Sequence, residues 1–109
     1  LFTLKTKRYS IELTPQDILD VVLIWQQVGI LTKFALNYRA YIHGKWYEIY
    51  RVDNYHGFPH EQKFWRSPYP IPIPDKEIYP LYLILEEYRN QIIDNFERYR
   101  SYFNQSVSK

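Results

Sequence analysis

Apolar and polar positions alternate with two distinct periods along this chain, and the change from one to the other divides it. From Leu4 to Leu13 basic and β-favouring residues mix, and Ile11 and Leu13 flank Glu12, which predicts a short strand. Thr14-Pro15-Gln16-Asp17 then has the composition of a helix start. Thr14 can cap, Pro15 suits the first helical position, and Asp17 lies where the helix dipole favours an anion. A helix over 15–27 would place Ile18, Val21, Val22 and Trp25 on one face, with Gly29 as its stop. The β-branched character of Val21–Ile24 makes a strand the competing assignment.

Residues 33–53 give the sharpest local pattern. Two strand-like runs flank His43-Gly44, and a two-residue loop there sets Ile42 opposite Lys45, Ala40 opposite Tyr47, Arg39 opposite Glu48 and Tyr38 opposite Ile49. One side of this hairpin collects Phe34, Leu36, Tyr38, Ala40, Ile42, Tyr47 and Ile49 as a core face. The other collects Asn37, Arg39, Tyr41, Trp46, Glu48 and Tyr50 as a wetter face with an opposite-charge pair. Residues 62–66 can return as a third strand. Pro68, Pro70, Pro72 and Pro74 alternate with Tyr69, Ile71 and Ile73, which excludes a helix and a central strand. This stretch reads as a stiff extended connector pinned by its Ile and Tyr side chains, rather than as an SH3-type ligand. After a short turn over 75–79, the stripe Leu81, Leu85, Tyr88, Ile92, Phe96, Tyr99, Phe103 keeps one helical face, with Asp94–Arg98 and Glu97–Arg100 available as pairs on the wet side. The fold class expected is therefore α+β, with one domain over 1–109. A hairpin-based antiparallel sheet would pack against an N-terminal helix and a long C-terminal helix.

Composition adds limits. With 46% apolar residues in 109, the chain can build one core and not two. Its 12 Tyr point to a core or a stacking surface made from tyrosine. A net charge of +2 does not by itself announce nucleic-acid binding. With no cysteine, disulfides, thiolate catalysis and sulfur-ligated zinc are excluded, and a cytoplasmic location is expected. No apolar stretch approaches the ~18 residues of a membrane span, so no membrane partner is expected. No signal-peptide pattern opens the sequence; its start at Leu1 without any Met is compatible with residues upstream.

Candidate chemistry gathers in one window, Tyr50-Arg51-Val52-Asp53-Asn54-Tyr55-His56-Gly57-Phe58-Pro59-His60, which holds two of the three histidines. Strand alternation puts Arg51 and Asp53 on one face. A guanidinium can hold a phosphate bidentately, an imidazole can take or give a proton, and a carboxylate can orient it. Such a set suits metal-free RNA cleavage, in which the 2′-hydroxyl must lose a proton. On that reading His56, His60 and Asp53 are the catalytic candidates, and Arg51, Asn54, Tyr50 and Trp46 bind substrate. No cofactor is invoked. The structural alternative makes Arg51–Asp53 an ordinary ion pair, Asn54 a turn cap, and both histidines polar loop residues. A metal site of Asp53, His56 and His60 is disfavoured, because Gly57 and Pro59 oppose the helix that a usual His pair needs.

The elements Gly44-Lys45-Trp46-Tyr47, Tyr50-Arg51-Val52-Asp53-Asn54, His56-Gly57 and His60, followed by a C-terminal helix, resemble the TumE-type toxins of bacterial and archaeal toxin–antitoxin pairs. The resemblance covers about residues 38–64 and, loosely, the final helix. It departs from the usual pattern at Val52, where the family has Tyr, and at Glu61-Gln62, where a second His often follows. It implies a toxin partnered by a small helix-turn-helix antitoxin, acting on RNA. The alternative is a non-catalytic interaction domain that binds protein or nucleic acid through Tyr41, Trp46 and Tyr50 or through the C-terminal helix. That helix is also the surface expected for pairing of two copies.

Overall fold

A computed structural model describes residues 4–27, 29–74, 76 and 79–107. Among these residues an antiparallel sheet of six strands is wound in simple sequence order and backed on one face by a single long helix. The strands are β1 (Lys5–Thr14), β2 (Asp17–Gln27), β3 (Ile30–Ile42), β4 (Lys45–Asp53), β5 (His60–Lys63) and β6 (Ile71–Pro72), and the helix α1 spans Leu81–Val107. The architecture is α+β, with the helix segregated to one face of the sheet. Among the described residues no helix is long and apolar enough to cross a membrane.

The expected N-terminal helix is not formed; residues 17–27 are β2, paired to β1 on one side and β3 on the other. Two forces decide this. Read with a period of two, Asp17, Leu19, Val21 and Leu23 all fall on the buried face, whereas a helical reading leaves Leu19 and Leu23 outside the stripe. The β-branched Ile18, Val21, Val22 and Ile24 fit a pleated surface and close β3's otherwise open edge. The apparent cap is a hairpin turn. Thr14 Oγ1 accepts from Gln16 N at 3.0 Å and donates to the Asp17 carboxylate, while the Gln16 carbonyl accepts from Tyr41 N at 2.8 Å.

The β3–β4 hairpin turns at His43-Gly44, both with positive φ (51° and 82°), as a two-residue turn of the primed type requires. Its pairing follows the expected register from Ile42↔Lys45 to Arg39↔Glu48 and then slips, so that Tyr38 faces Tyr50, not Ile49. Ile49 is the extra residue of a β-bulge. Its carbonyl accepts from Phe64 N at 3.2 Å. The bulge lets Ile49 and Tyr50 both enter the core, and it sends Arg51 and Asp53 to the opposite face. Tyr50, expected on the wetter face, is therefore buried.

Helix α1 runs four residues beyond Phe103, the last position of its predicted stripe, and covers β3 and β4. Leu85, Tyr88, Ile92 and Phe103 are buried along it and Phe96 and Tyr99 half-buried; Ile84 joins them. Phe96 meets Tyr38 edge-on at 6.1 Å and Tyr47 packs on Phe103 at 5.2 Å. Arg100 does not pair with Glu97. It reaches the fully buried Asp17, 2.8 Å away, where Tyr38 also donates its phenol. Nor does Asp94 pair with Arg98. The proline connector is extended and adds the short edge strand β6, but only Ile73 is buried in the core; Tyr69 and Ile71 are exposed. The turn expected over 75–79 lies outside the described residues.

Candidate functional site

The face of the sheet away from α1 carries the candidate chemistry at the junction of β4, β5 and the loop between them. After the bulge, Arg51 and Asp53 project from β4 on this face, and Gln62 and His60 stand opposite them on β5. The connecting loop folds back through Asn54–Gly57, where Gly57 N donates to the Asn54 carbonyl at 3.1 Å and Gly57 takes a φ of 109° that favours glycine. His56 is thereby returned toward His60. The two imidazoles meet edge to face with centroids 5.9 Å apart.

These side chains border an open pocket of about 190 Å³ lined by Arg51, Asp53, Tyr55, His56, His60, Glu61, Gln62 and Pro70. Within it Asp53 is an organiser. One of its oxygens accepts from Arg51 Nε at 2.8 Å, and the other accepts from Tyr55 N at 2.9 Å. The Arg51 guanidinium lies 5.7 Å from the Tyr55 ring centroid, so the loop grips it from above. Nε is engaged, while the terminal nitrogens of Arg51 make no hydrogen bond among the described residues. That leaves the bidentate edge of the guanidinium for an anion.

His60 is oriented by the backbone. Its Nδ1 lies 2.7 Å from the Phe58 carbonyl, which can only accept, so Nδ1 carries the hydrogen. In the neutral ring the lone pair is then on Nε2. Phe58 stacks on the same ring at 4.7 Å and fixes its plane. His56 is exposed and carries no such restraint. Asp53 contacts neither imidazole by a hydrogen bond; its role is to hold Arg51 and the loop, not to orient a histidine. Among the described residues no three His, Asp or Glu side chains are grouped to hold a metal ion.

Three of the seven candidate residues stand elsewhere. Asn54 is buried, with its amide turned to β3: Oδ1 accepts from Phe34 N at 2.8 Å and Nδ2 donates to the Thr32 carbonyl at 3.0 Å. It continues the β3–β4 ladder with side-chain atoms and is not available to substrate. Tyr50 is buried on the α1 face, where its hydroxyl donates to Glu61 at 2.6 Å. Burial, reinforced by that hydrogen bond, holds its phenol well above the ordinary tyrosine range. Trp46 is half-exposed at the far end of β4, roughly 15 Å along the strand from Arg51. There it packs with Tyr41 and lies under the Arg39 guanidinium. Conversely, Tyr55, Glu61, Gln62 and Pro70 line the pocket and are not among the candidates from sequence. Gln62 was open to discovery, because once β5 pairs with β4 it must face Arg51. Asn37, opposite Arg51 on β3, has a buried Oδ1 without a hydrogen-bond partner.

In comparison with known proteins, no family model, no curated protein and no solved structure matches the chain.

Proposed function

We propose that this chain is the toxin-like component of a toxin–antitoxin pair and that it acts as a metal-independent ribonuclease. One observation supports the chemistry above the others: a guanidinium with its terminal edge free and two imidazoles border a single open pocket. Phosphodiester cleavage by the neighbouring 2′-hydroxyl needs those parts within reach of one linkage. In this reading His60 Nε2 takes the 2′-hydroxyl proton, and the 2′-oxygen attacks phosphorus. The 5′-oxygen leaves with a proton from His56, and a 2′,3′-cyclic phosphate remains. Arg51 neutralises the phosphate, held in place by Asp53 and Tyr55. The helix-turn-helix antitoxin partner rests on the resemblance of 38–64 to TumE-type toxins.

The test is cleavage of single-stranded RNA by the purified chain in EDTA. His60→Ala and Arg51→Ala should each lower the rate by about 10²–10⁴-fold. Their thermal melts should stay close to that of the native chain, and both should relieve growth arrest on expression in a host cell. Cleavage and growth arrest unchanged by both substitutions would sink the ribonuclease. A second reading, a non-catalytic interaction domain, is favoured by the Arg39–Tyr41–Trp46 cluster exposed on the helix-free face. It would gain if Trp46→Ala alone abolished growth arrest.

A further inference from the structure

Strand β5 has a second face, and a groove lies on it. Two adjoining hollows of about 260 Å³ and about 420 Å³ share Trp65, Arg66 and Tyr102 and run between the end of β5 and the last turns of α1. The walls are aromatic. Trp65 stacks on Tyr99 at 5.5 Å with 20° between the planes, and Tyr102, exposed, tilts against Trp65 at 5.7 Å.

The charges of this groove are not balanced. Arg39, Arg51 and Arg100 each hold an aspartate at 2.8 Å. Arg66 and Arg98, both exposed, hold no carboxylate among the described residues. Among the described residues the one acid lining the groove, Glu61, is already engaged by the Tyr50 hydroxyl and by Lys63 at 3.6 Å. Ring surface beside two guanidiniums without acid partners suits a ligand that brings a flat ring and a negative charge together. A nucleotide unit of a single strand has that chemistry, since every base offers a π-face and every linkage a phosphate. The exposed Arg39–Trp46 cluster is a weaker candidate, because its arginine is already tied to Asp20.

Glu61 borders both this groove and the Arg51–His60 pocket, which lie on opposite faces of β5; beyond Glu61 the strand β5 is itself the sheet edge, so a single strand can reach both by passing around it. We propose that the groove is a second RNA subsite, in which a nucleotide flanking the cleaved linkage stacks its base on Trp65 and Tyr102 and places its phosphate on Arg66 and Arg98. The choice of RNA over other single strands rests on the ribonuclease reading; the site itself does not.

The experiment is binding of a fluorescent, fully 2′-O-methylated single-stranded oligonucleotide, which lacks the attacking hydroxyl, followed by anisotropy across a salt series. The double variant Arg66→Gln/Arg98→Gln should raise Kd at least tenfold, and should lower the slope of log K against log salt by about 0.7, the value for the one phosphate that the two arginines share. Tyr102→Ala should weaken binding about tenfold, whereas Lys7→Gln, exposed on β1 at the opposite end of the sheet, should leave it nearly unchanged. Thermal melts of the groove variants come first, and a misfolded Tyr102→Ala leaves the arginine pair as the deciding variant. Native affinity and slope in the folded double variant would overturn the proposal. So would equal binding of duplex RNA, or loss of antitoxin binding alone, which would make the groove a protein surface. Weakened oligonucleotide binding without RNA cleavage by the native chain would keep the subsite and remove the ribonuclease. Arg51-dependent cleavage with unchanged binding in the double variant would do the reverse.

Discussion

Of the three aspartates that hold an arginine at 2.8 Å among the described residues, Asp17 and Asp53 do opposite things with it. Asp17, with no exposed surface, collects Thr14 from the β1–β2 turn, Tyr38 from β3 and Arg100 from α1. Every partner comes from a different element, and together they tie the helix to the sheet. Asp53 collects Arg51 from its own strand and Tyr55 N from the next loop, at the edge of open space. The first cluster is closed and has a use only in holding the fold. The second leaves a guanidinium edge and two imidazoles facing solvent, which is the condition for chemistry on something else.

The contrast makes graded predictions. Asp17→Ala removes the carboxylate that three buried or half-buried donors need, and should destabilise by about 3–5 kcal/mol. Asp53→Ala should cost about 1 kcal/mol, since Arg51 can turn to water. Urea melts giving equal losses would erase the distinction. Asn54→Ala marks the border between fold and pocket. It leaves the Phe34 N–H and the Thr32 carbonyl unpaired, and about 2 kcal/mol of stability should go with little change in cleavage below the melting range. Cleavage lost with stability intact would return Asn54 to the pocket.

A separate effect is alkaline. Burial raises the phenols of Tyr38, Tyr50 and Tyr99 and pushes Tyr88 up to about 12, from an ordinary value of 10.0. In each case the folded chain holds the proton more tightly than the unfolded chain. The stabilisation is therefore complete below about pH 10 and is lost as pH rises above it, for Tyr88 through about 12, where the loss runs at up to roughly 1.4 kcal/mol per pH unit. Absorbance of phenolate near 295 nm should show these groups ionising only with unfolding. All 12 tyrosines titrating together in the folded chain would contradict it.

The two clusters were unequally legible. Arg51, Asp53, His56 and His60 lie within ten residues, so the sequence alone set them side by side, and alternation correctly put the first two on one face. The Asp17 cluster spans 83 residues to Arg100, and a Thr-Pro-x-Asp segment serves a helix cap and a hairpin turn alike. Only the partners across the fold decide between them. The β3–β4 hairpin was readable because His43-Gly44 and the Arg39–Glu48 pair fix its register locally. The slip at Ile49 was not, since Ile49 and Tyr50 both suit a core and neither signals which is the extra residue. That one shift misplaced Tyr50. The helix stripe was readable throughout, because a period sustained from Leu81 to Phe103 leaves little choice of face.

The bulge at Ile49 also governs how descendants of this sequence can vary in length. Removing Ile49 alone would leave Arg39 opposite Glu48 and Tyr38 opposite Tyr50, a plain ladder with Arg51 and Asp53 still on the outer face. Removing one residue between Tyr50 and Asp53 would instead invert the facing of the strand on one side of the gap and split Arg51 from Asp53. Ile49 is thus the position in β4 where a gap of one can open or close across evolutionary time without carrying the pocket to the wrong side of the sheet.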